Sequence, residues 1–342
     1  MAVRVAVDAM GGDHAPAAVV EGALMAAREM GFEVVLVGRE NEVSAELRRL
    51  GAHDGEIPIV DAPDVIEMHE SPVLALRRKK HSSIRIGAHM VRDGRADGFV
   101  SAGNTGAVMA GSKVALGTIH GIDRPAVTAV VPNLRGRSVW LDVGANVDCR
   151  PIHIRQFALM GSIYAREILG VARPRVGLLS IGEEDLKGND LTREVFKELQ
   201  AAGTDVINFI GNVEGRDIFN GNCDVIVCDG FIGNVSLKAI ESVAEMLVVF
   251  LKQELKSSLL AKAGLALARP ALRRFKRVID YAEYGGFPLL GVRGTVIISH
   301  GRSSPKAIKN AIRACAECAT ARVTDRIQEI MAREMAHLAP VH

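Results

Sequence analysis

The sequence predicts an α/β fold in which mostly parallel strands carry helices on both faces. Short β-branched runs alternate with longer amphipathic stretches along the whole chain, a pattern typical of such a sheet. The 342 residues are 48% hydrophobic, which is enough to enclose a large core. No internal repeat, low-complexity linker or clear domain boundary interrupts the pattern, so residues 1–342 are expected to form a single domain.

Ten strands are expected, each a short run rich in β-branched or other apolar residues. In chain order they are 3–7, 33–37, 57–60, 98–101, 128–131, 138–142, 175–180, 205–210, 224–228 and 295–299. Helical periodicity fills most of the intervals between them. The first helix is expected to begin near Pro16, because proline favours the first helical turn.

Composition excludes several classes of protein. The net charge of +2 provides no global field for nucleic acid, and the 4% of aromatic residues offers few stacking platforms. The N-terminus shows no secretory signal pattern and no apolar run is long enough to span a membrane, so a cytoplasmic location is expected. Five cysteines, an odd number, suit a reducing compartment. Cys315 and Cys318 form the only C-x-x-C, and its Ala-rich helical context favours packing over a redox or metal role.

Seven loops that follow predicted strands combine glycine with polar or charged residues. They are DAMGGDHAP (8–16), SAGNTGAVMAG (101–111), DVGANVDCRP (142–151), SIGEEDLKGND (180–190), IGNVEGRD (210–217), CDGFIGNVSLK (228–238) and SHGRSSP (299–305). Because ligands of parallel α/β sheets bind beyond the carboxyl ends of the strands, all seven are expected on one edge. Glycines let the backbone approach a ligand, and free N–H groups at helix starts attract anions. For any single loop, a tight turn is the alternative explanation.

The side chains in these loops suit a phosphate and an acyl carbonyl better than a metal. Neutral amides recur, and a few cations accompany them: Asn104, Asn146, Asn189, Asn212 and Asn234, with Arg124, Lys187 and Arg216. Each asparagine could instead cap a helix or close a turn. The motifs of zinc proteases, EF-hands, dinucleotide-binding loops and P-loops are missing, so neither a metal nor a nicotinamide or ATP site is expected. His14 and His300 are the histidines best placed for chemistry, with a structural role as the alternative.

A basic segment spans residues 252–277. It contains eight basic residues against one acidic residue, Glu254, with leucines between them, and Pro270 favours a protruding helical hairpin. A basic amphipathic hairpin can lie on an anionic membrane or bind an acidic protein. A subunit contact or a solvated face is the alternative.

Taken together, the loop motifs resemble the bacterial phosphate acyltransferase family, PlsX. The resemblance rests on VDAMGGDHAP, SAGNTGA, DRPA, DVGANVDC, IGEEDLKGN, GNVEGRDI, CDGFIGNV, GGFPLLGV and HGRSSPKAIKNAI, in order from about residue 3 to about residue 315. It implies a Rossmann-like three-layer α/β/α sandwich similar to phosphotransacetylases and isocitrate dehydrogenase-like enzymes. It also implies transfer of a long-chain acyl group from acyl carrier protein to inorganic phosphate, without a bound cofactor.

The resemblance further implies a homodimer that associates peripherally with the inner membrane face. Its acyl phosphate product would feed a membrane-bound glycerol-3-phosphate acyltransferase. Carried over position by position, it places the catalytic groups on Lys187, Asn104, Asn234 and His14. Phosphate and acyl-phosphate contacts are expected at Gly11, Gly12, Gly103, Thr105, Arg124, Asn146, Asn212 and His300. Contacts with the carrier protein or the membrane are expected at Lys256, Lys262, Arg269, Arg273 and Arg274.

Two questions about the chemistry stay open at this point. Phosphate is expected to attack the thioester directly, and acyl transfer through Cys149 is the alternative, although no base stands beside that residue and His153 should lie on the following helix. A phosphotransacetylase acting on short-chain acyl-CoA is the nearest rival function. A non-catalytic scaffold at the membrane surface is a rival of another class, and it leaves the polar loops without a purpose.

Overall fold

Eleven strands of the described residues form one sheet. The computed structural model describes residues 2–202, 207–256, 267, 268, 270, 271, 283 and 285–338. The strands are β1 (Arg4–Asp8), β2 (Glu33–Gly38), β3 (Ile59–Asp61), β4 (Gly98–Ser101), β5 (Ala126–Asn133), β6 (Gly136–Leu141), β7 (Arg175–Leu179), β8 (Asn208–Val213), β9 (Val225–Val227), β10 (Phe287–Leu290) and β11 (Thr295–Ile298). Across the sheet they follow the order β3-β2-β1-β4-β11-β10-β5-β6-β9-β7-β8.

Eleven helices accompany the sheet within the same ranges. They are α1 (Ala17–Met30), α2 (Glu40–Arg49), α3 (Pro72–Arg78), α4 (Ser83–Arg92), α5 (Thr105–Leu116), α6 (Pro151–Leu169), α7 (Asp190–Ala201), α8 (Asp217–Asn220), α9 (Gly230–Lys256), α10 (Pro305–Thr320) and α11 (Val323–Leu338). The first helix begins directly after Pro16, as the sequence predicts.

Alternating side chains of the strands build two cores on opposite faces of the sheet. In β1, Val5 and Val7 join a core that includes buried residues of α1, α6, α7, α10 and α11, whereas Ala6 joins the core under α3, α4 and α5. In β6, Leu141 belongs to the first core, and Trp140 belongs to the second. This period of two produces the predicted arrangement of a mostly parallel sheet between two helical layers.

The direction of the strands reverses in the middle of the sheet. β5 and β6 form an antiparallel hairpin, and β10 is antiparallel to both of its neighbours, β11 and β5. The remaining pairs are parallel, so β6, β9, β7 and β8 run opposite to β1, β2, β3, β4 and β11. The prediction that all seven polar loops lie on one edge is therefore wrong. Three loops follow β1, β4 and β11, and the other four follow strands of the opposite direction.

Most predicted elements have a counterpart in the structure. Each predicted strand overlaps an observed one, although residues 205 and 206 lie outside the described ranges. The strand β10 was not predicted, because Pro288 and the flanking glycines argue against a strand. The predicted hairpin over 252–277 lies largely outside the described residues. The side chains of the five basic contact residues predicted there lie outside them as well: Lys256, Lys262, Arg269, Arg273 and Arg274.

Candidate active site

The loops after β1, β4 and β11 touch one another through glycines and form the first loop cluster. A Cβ added to Gly11 would lie 2.6 Å from the amide nitrogen of Gly103. Gly12 has a φ of +103°, and a Cβ there would lie 2.8 Å from the carbonyl oxygen of Gly301. The Asp13 amide also donates a hydrogen bond to that oxygen, at 2.8 Å. These glycines are therefore required for the three loops to pack, whatever ligand they bind.

The buried carboxylate of Asp8 joins the first two of these loops. It accepts hydrogen bonds from the Met10 amide at 3.1 Å and from Ser101 Oγ at 2.6 Å, and Ser101 Oγ accepts one from the Gly103 amide. Burial raises the pKa of Asp8, and the hydrogen bonds that it accepts oppose the rise. Sequence reasoning missed this residue. The available signal was an aspartate placed directly between an apolar strand and two glycines.

Asn104 has its hydrogen-bonding groups engaged within the chain. Its Oδ1 accepts a hydrogen bond from the Ala107 amide and so caps α5. Its Nδ2 donates to carbonyl oxygens of the segment 67–70, at 3.0 to 3.3 Å. This geometry favours a positioning role over the direct donor role predicted from the sequence. The neighbouring Thr105 and His14 are exposed, and Nδ1 of His300 accepts a hydrogen bond from the Arg302 amide.

The loop after β6 is folded around the buried carboxylate of Asp142. This carboxylate accepts five hydrogen bonds between 2.6 and 3.2 Å, from the amides of Val127, Gly144, Ala145 and Asn146 and from Asn146 Nδ2. Burial raises the pKa of Asp142, and the N–H donors oppose the rise. Asn146 Nδ2 also donates to the carbonyl oxygen of Pro125 at 2.8 Å. Asn146 is thus committed to holding the loop and the segment that contains Arg124.

The first turn of α9 packs directly against this loop. Asp229 caps the helix by accepting hydrogen bonds from the Phe231 and Ile232 amides, and the Gly230 amide donates to the Asn146 carbonyl at 2.7 Å. Asn234 lies one turn further on, where a Cβ added to Gly144 would be 3.5 Å from its Cγ. Within the described ranges, the side-chain amide of Asn234 has no hydrogen-bond partner, so its Nδ2–H groups are available to a ligand.

The loops after β7 and β8 present Lys187. Asn212 Nδ2 donates to the Glu184 carbonyl at 2.9 Å, and the Lys187 amide donates to the same oxygen at 3.0 Å. The Lys187 side chain is exposed and makes no ion pair with any described residue. Arg216, on the loop after β8, pairs with Glu183 on the loop after β7, which also carries Lys187. Together with the loops after β6 and β9, these loops form the second loop cluster, which presents Lys187 and Asn234.

The long helix α9 links the two clusters. It begins in the second cluster and passes the loop after β11, where Glu245 pairs with Arg302 at 3.6 Å. Burial raises the pKa of Glu241, and the nearby charges of His300 and Lys238 oppose the rise. Glu241 is seven residues beyond Asn234, which corresponds to about 10 Å along the helix.

The geometry around Cys149 disfavours covalent catalysis. Burial and the charge of Asp142 raise the pKa of this thiol to about 12, so it is almost entirely protonated at neutral pH. His153 lies on α6, as expected, and is buried, with Nδ1 accepting a hydrogen bond from the Arg150 amide at 3.1 Å. Cys223, Cys228, Cys315 and Cys318 are all buried, as predicted for core residues. Among the described residues, no His, Cys, Asp and Glu side chains cluster as a metal site would require.

Solved structures identify the class of fold. A phosphotransacetylase from Streptococcus pyogenes superposes with a TM-score of 0.64 at 18% sequence identity, covering 94% of each chain. A 4-hydroxythreonine-4-phosphate dehydrogenase from Klebsiella pneumoniae superposes with a TM-score of 0.54 at 13% identity, covering 93% of this chain and 100% of the other. The protein thus has the fold shared by phosphotransacetylases and these dehydrogenases, which confirms the predicted fold class.

Sequence comparison then gives the family. The profile of the fatty acid synthesis protein family matches residues 3–326. The phosphate acyltransferase of Pelotomaculum thermopropionicum is 54% identical over 326 residues, covering 95% of this chain and 94% of that protein. The phosphate acyltransferase of Aquifex aeolicus is 51% identical over 316 residues, covering 92% and 93%. The chain belongs to this family of phosphate acyltransferases, as its loop motifs predict.

These comparisons do not address two of the sequence expectations, the one about membrane-spanning segments and the one about the roles of single site residues. Along the described stretches of chain, the helices are too short or too polar for any of them to cross a bilayer. The roles of the individual site residues stay predictions. The structure places seven of them in the first loop cluster and four in the second: Gly11, Gly12, His14, Gly103, Asn104, Thr105 and His300, then Asn146, Lys187, Asn212 and Asn234. Arg124, which precedes β5, lies beside the second cluster and donates a hydrogen bond to the Asp148 carbonyl oxygen at 3.1 Å.

Proposed function

We propose that this acyltransferase moves a long-chain acyl group from the thioester of acyl carrier protein to inorganic phosphate. The products are an acyl phosphate and the free carrier thiol. One observation carries the proposal: within the described ranges, the second loop cluster offers a lysine without an ion pair and an asparagine side chain without a hydrogen bond, whereas burial raises the pKa of both its cysteines, that of Cys149 to about 12. Such a site can bind phosphate and stabilise an oxyanion, but it provides no activated nucleophile of its own.

The reaction needs positioning and charge stabilisation more than proton transfer. A phosphate oxygen attacks the thioester carbonyl carbon, and the carbonyl oxygen becomes an oxyanion. The C–S bond then breaks, and sulfur leaves with the electron pair and takes a proton from water. A free thiol has a pKa of about 8.5, so the leaving group needs little help from a general acid. One oxyanion donor is typically worth about 3 kcal/mol in such a site.

Named residues take separate parts in this proposal. Lys187 and Arg124 attract the phosphate, and Asn234 donates a hydrogen bond to the oxyanion. Asn146 and Asn212 hold the loops that carry these groups, since both amides already bind backbone oxygens. In the first cluster, the backbone N–H groups near Gly11, Gly12, Gly103 and Thr105, with His14 and His300, would complete the binding of phosphate.

We further propose which molecules this enzyme binds, on the basis of the outer half of α9 and the basic segment 252–277. Six large apolar side chains of this half are exposed: Val243, Met246, Leu247, Val249, Phe250 and Leu251. Eight basic residues in 252–277 follow. Such a region suits an acidic carrier protein, an anionic membrane and a second copy of the chain in a homodimer. We place the enzyme in the cytoplasm, in peripheral contact with the inner membrane, where a membrane-bound glycerol-3-phosphate acyltransferase would consume the product.

The decisive experiment measures free thiol released from palmitoyl-(acyl carrier protein), with and without inorganic phosphate. Palmitoyl-CoA and acetyl-CoA serve as parallel substrates. Phosphate-dependent release from the carrier thioester supports the proposal. Release from acetyl-CoA alone would instead identify a short-chain phosphotransacetylase. If no thiol is released from any of the three thioesters, the proposal is contradicted, and a non-catalytic scaffold at the membrane surface is the remaining hypothesis.

A further inference from the structure

We propose that an apolar rim around the second loop cluster binds the acyl chain of the substrate beyond its first four carbons. The rim comprises Val147, Ile181, Leu186, Phe231 and Val235, each of which is between 54% and 84% exposed. This inference rests on the proposed function and deepens it, because it names the surface that recognises the aliphatic part of the substrate.

The topology of the sheet brings the rim together. Val147 follows β6, Ile181 and Leu186 follow β7, and Phe231 and Val235 belong to the helix that follows β9. In the sheet, β9 lies between β6 and β7, and all three strands run in the same direction. Neighbouring strands are about 4.8 Å apart, so the three sets of side chains emerge side by side at one edge.

The rim also surrounds the groups proposed to handle the carbonyl and the phosphate. Phe231, Asn234 and Val235 occupy positions i, i+3 and i+4 of α9 and therefore share one face of the helix. Lys187 directly follows Leu186. Gly233 faces the other way, since a Cβ added there would collide with the Asp142 carbonyl oxygen at 1.9 Å. The half-buried Asn234, which lies against Gly144, and the exposed Phe231 and Val235 are therefore on the same side of α9.

Clustering at the site distinguishes these residues from ordinary exposed apolar residues. Leu134, in the turn between β5 and β6, is 86% exposed, and it lies at the opposite end of β6 from the rim. A single exposed leucine of that kind is common on protein surfaces. Five exposed apolar side chains around one amide and one lysine match a substrate with a polar reacting group and a long aliphatic tail. The acyl chain of the thioester is the ligand with that chemistry.

The test compares acyl chains of different length on the same carrier protein. The double variant Phe231→Ala and Leu186→Ala removes two rim side chains, and Leu134→Ala is the matched control. We expect the double variant to raise KM for palmitoyl-(acyl carrier protein) by about tenfold, since it removes apolar surface that the chain would cover. KM for butyryl-(acyl carrier protein) and KM for phosphate should change by less than about twofold. The control should match the wild-type enzyme for every substrate.

A second readout separates this inference from the proposed function. Binding of a fluorescent long-chain fatty acid is measured without turnover, and we expect the double variant to bind it about tenfold more weakly than the wild type. Equal losses for palmitoyl and butyryl thioesters, or no loss for either, would overturn the rim as the acyl-chain site. If the wild-type enzyme releases no thiol in the presence of phosphate, the proposed function fails, whereas the binding measurement still decides whether the rim holds an aliphatic chain.

Discussion

Replacing Gly233 with alanine tests the junction on which the second loop cluster depends. The new Cβ would lie 1.9 Å from the carbonyl oxygen of Asp142, 3.0 Å from its carbonyl carbon and 3.1 Å from the Cα of Val143. All three atoms belong to the backbone, so no side-chain rotation can relieve the overlap. The Asp142 carboxylate holds the same loop with five hydrogen bonds, and we therefore expect the first turn of α9 to move instead.

The expected cost follows from the size of the overlap. Overpacking in a rigid site typically destabilises a protein by 1–3 kcal/mol, and a backbone contact this short places Gly233→Ala at about 3 kcal/mol. For the 342 residues of this chain, the corresponding fall in Tm is about 4 °C. Asn234 is the next residue and would move with the helix. A displacement of about 1 Å can reduce the rate by about a hundredfold, so kcat/KM for phosphate should fall by a factor of that order.

Thermal unfolding and phosphate-dependent thiol release are measured on the same preparations. Gly215→Ala is the matched control, because Gly215 is exposed and an added Cβ there meets no atom within 4 Å. The control should keep the Tm and the activity of the wild type. If Gly233→Ala melts within about 1 °C of the wild type and keeps its activity, the close contact between α9 and the loop after β6 is refuted.

Three other substitutions separate the remaining roles. Lys187→Ala should lower turnover by more than about tenfold, since it removes the cation proposed to attract phosphate. Its Tm should not change, because the side chain is exposed and has no ion-pair partner among the described residues. Lys197→Ala, at an exposed position on α7, is the control, and a smaller loss of turnover would remove Lys187 from the mechanism. Cys149→Ala should keep turnover within about twofold of the wild type, and an inactive variant would support the covalent route. In the wild-type enzyme, the rate of Cys149 alkylation by iodoacetamide should still be rising with pH at pH 10, since the pKa of this thiol is about 12. Asn104→Ala removes the cap of α5 and the bonds to the segment 67–70. It should lower stability by at least about 1 kcal/mol, and an unchanged Tm would contradict the positioning role.

The positions of the strands could be predicted from the sequence because hydrophobic periodicity is local. Strand direction depends on which strands pair, and that information lies in the turns. The short connection Leu134–Arg135 between β5 and β6 is typical of an antiparallel hairpin, and it reverses β6 together with β9, β7 and β8, which lie beyond β6 in the sheet. Pro288 hid β10 because a proline can join a ladder only where its missing N–H is tolerated.

For the candidate site, the sequence indicated the correct loops but could not assign the work of each side chain. Asn104, Asn146 and Asn234 look alike as isolated residues in glycine-rich loops. The structure shows that the side-chain amides of Asn104 and Asn146 donate hydrogen bonds to backbone oxygens. The side-chain amide of Asn234 has no hydrogen-bond partner within the described ranges. Such assignments depend on contacts between segments far apart in the chain. Asp8 and Asp142, each buried at the end of a strand, are structural residues whose importance appears only when those contacts are known.

The position of β10 has a mechanical consequence for the enzyme. The chain leaves α9 at Lys256, passes through the basic segment and returns as β10, which lies between β11 and β5 where the two halves of the sheet meet. The basic segment is therefore tethered at one end to the helix that spans both clusters and at the other end to the strand that joins them. A force applied to that segment would therefore be transmitted both to the helix that contacts the two loop clusters and to the strand that lies between the two halves of the sheet.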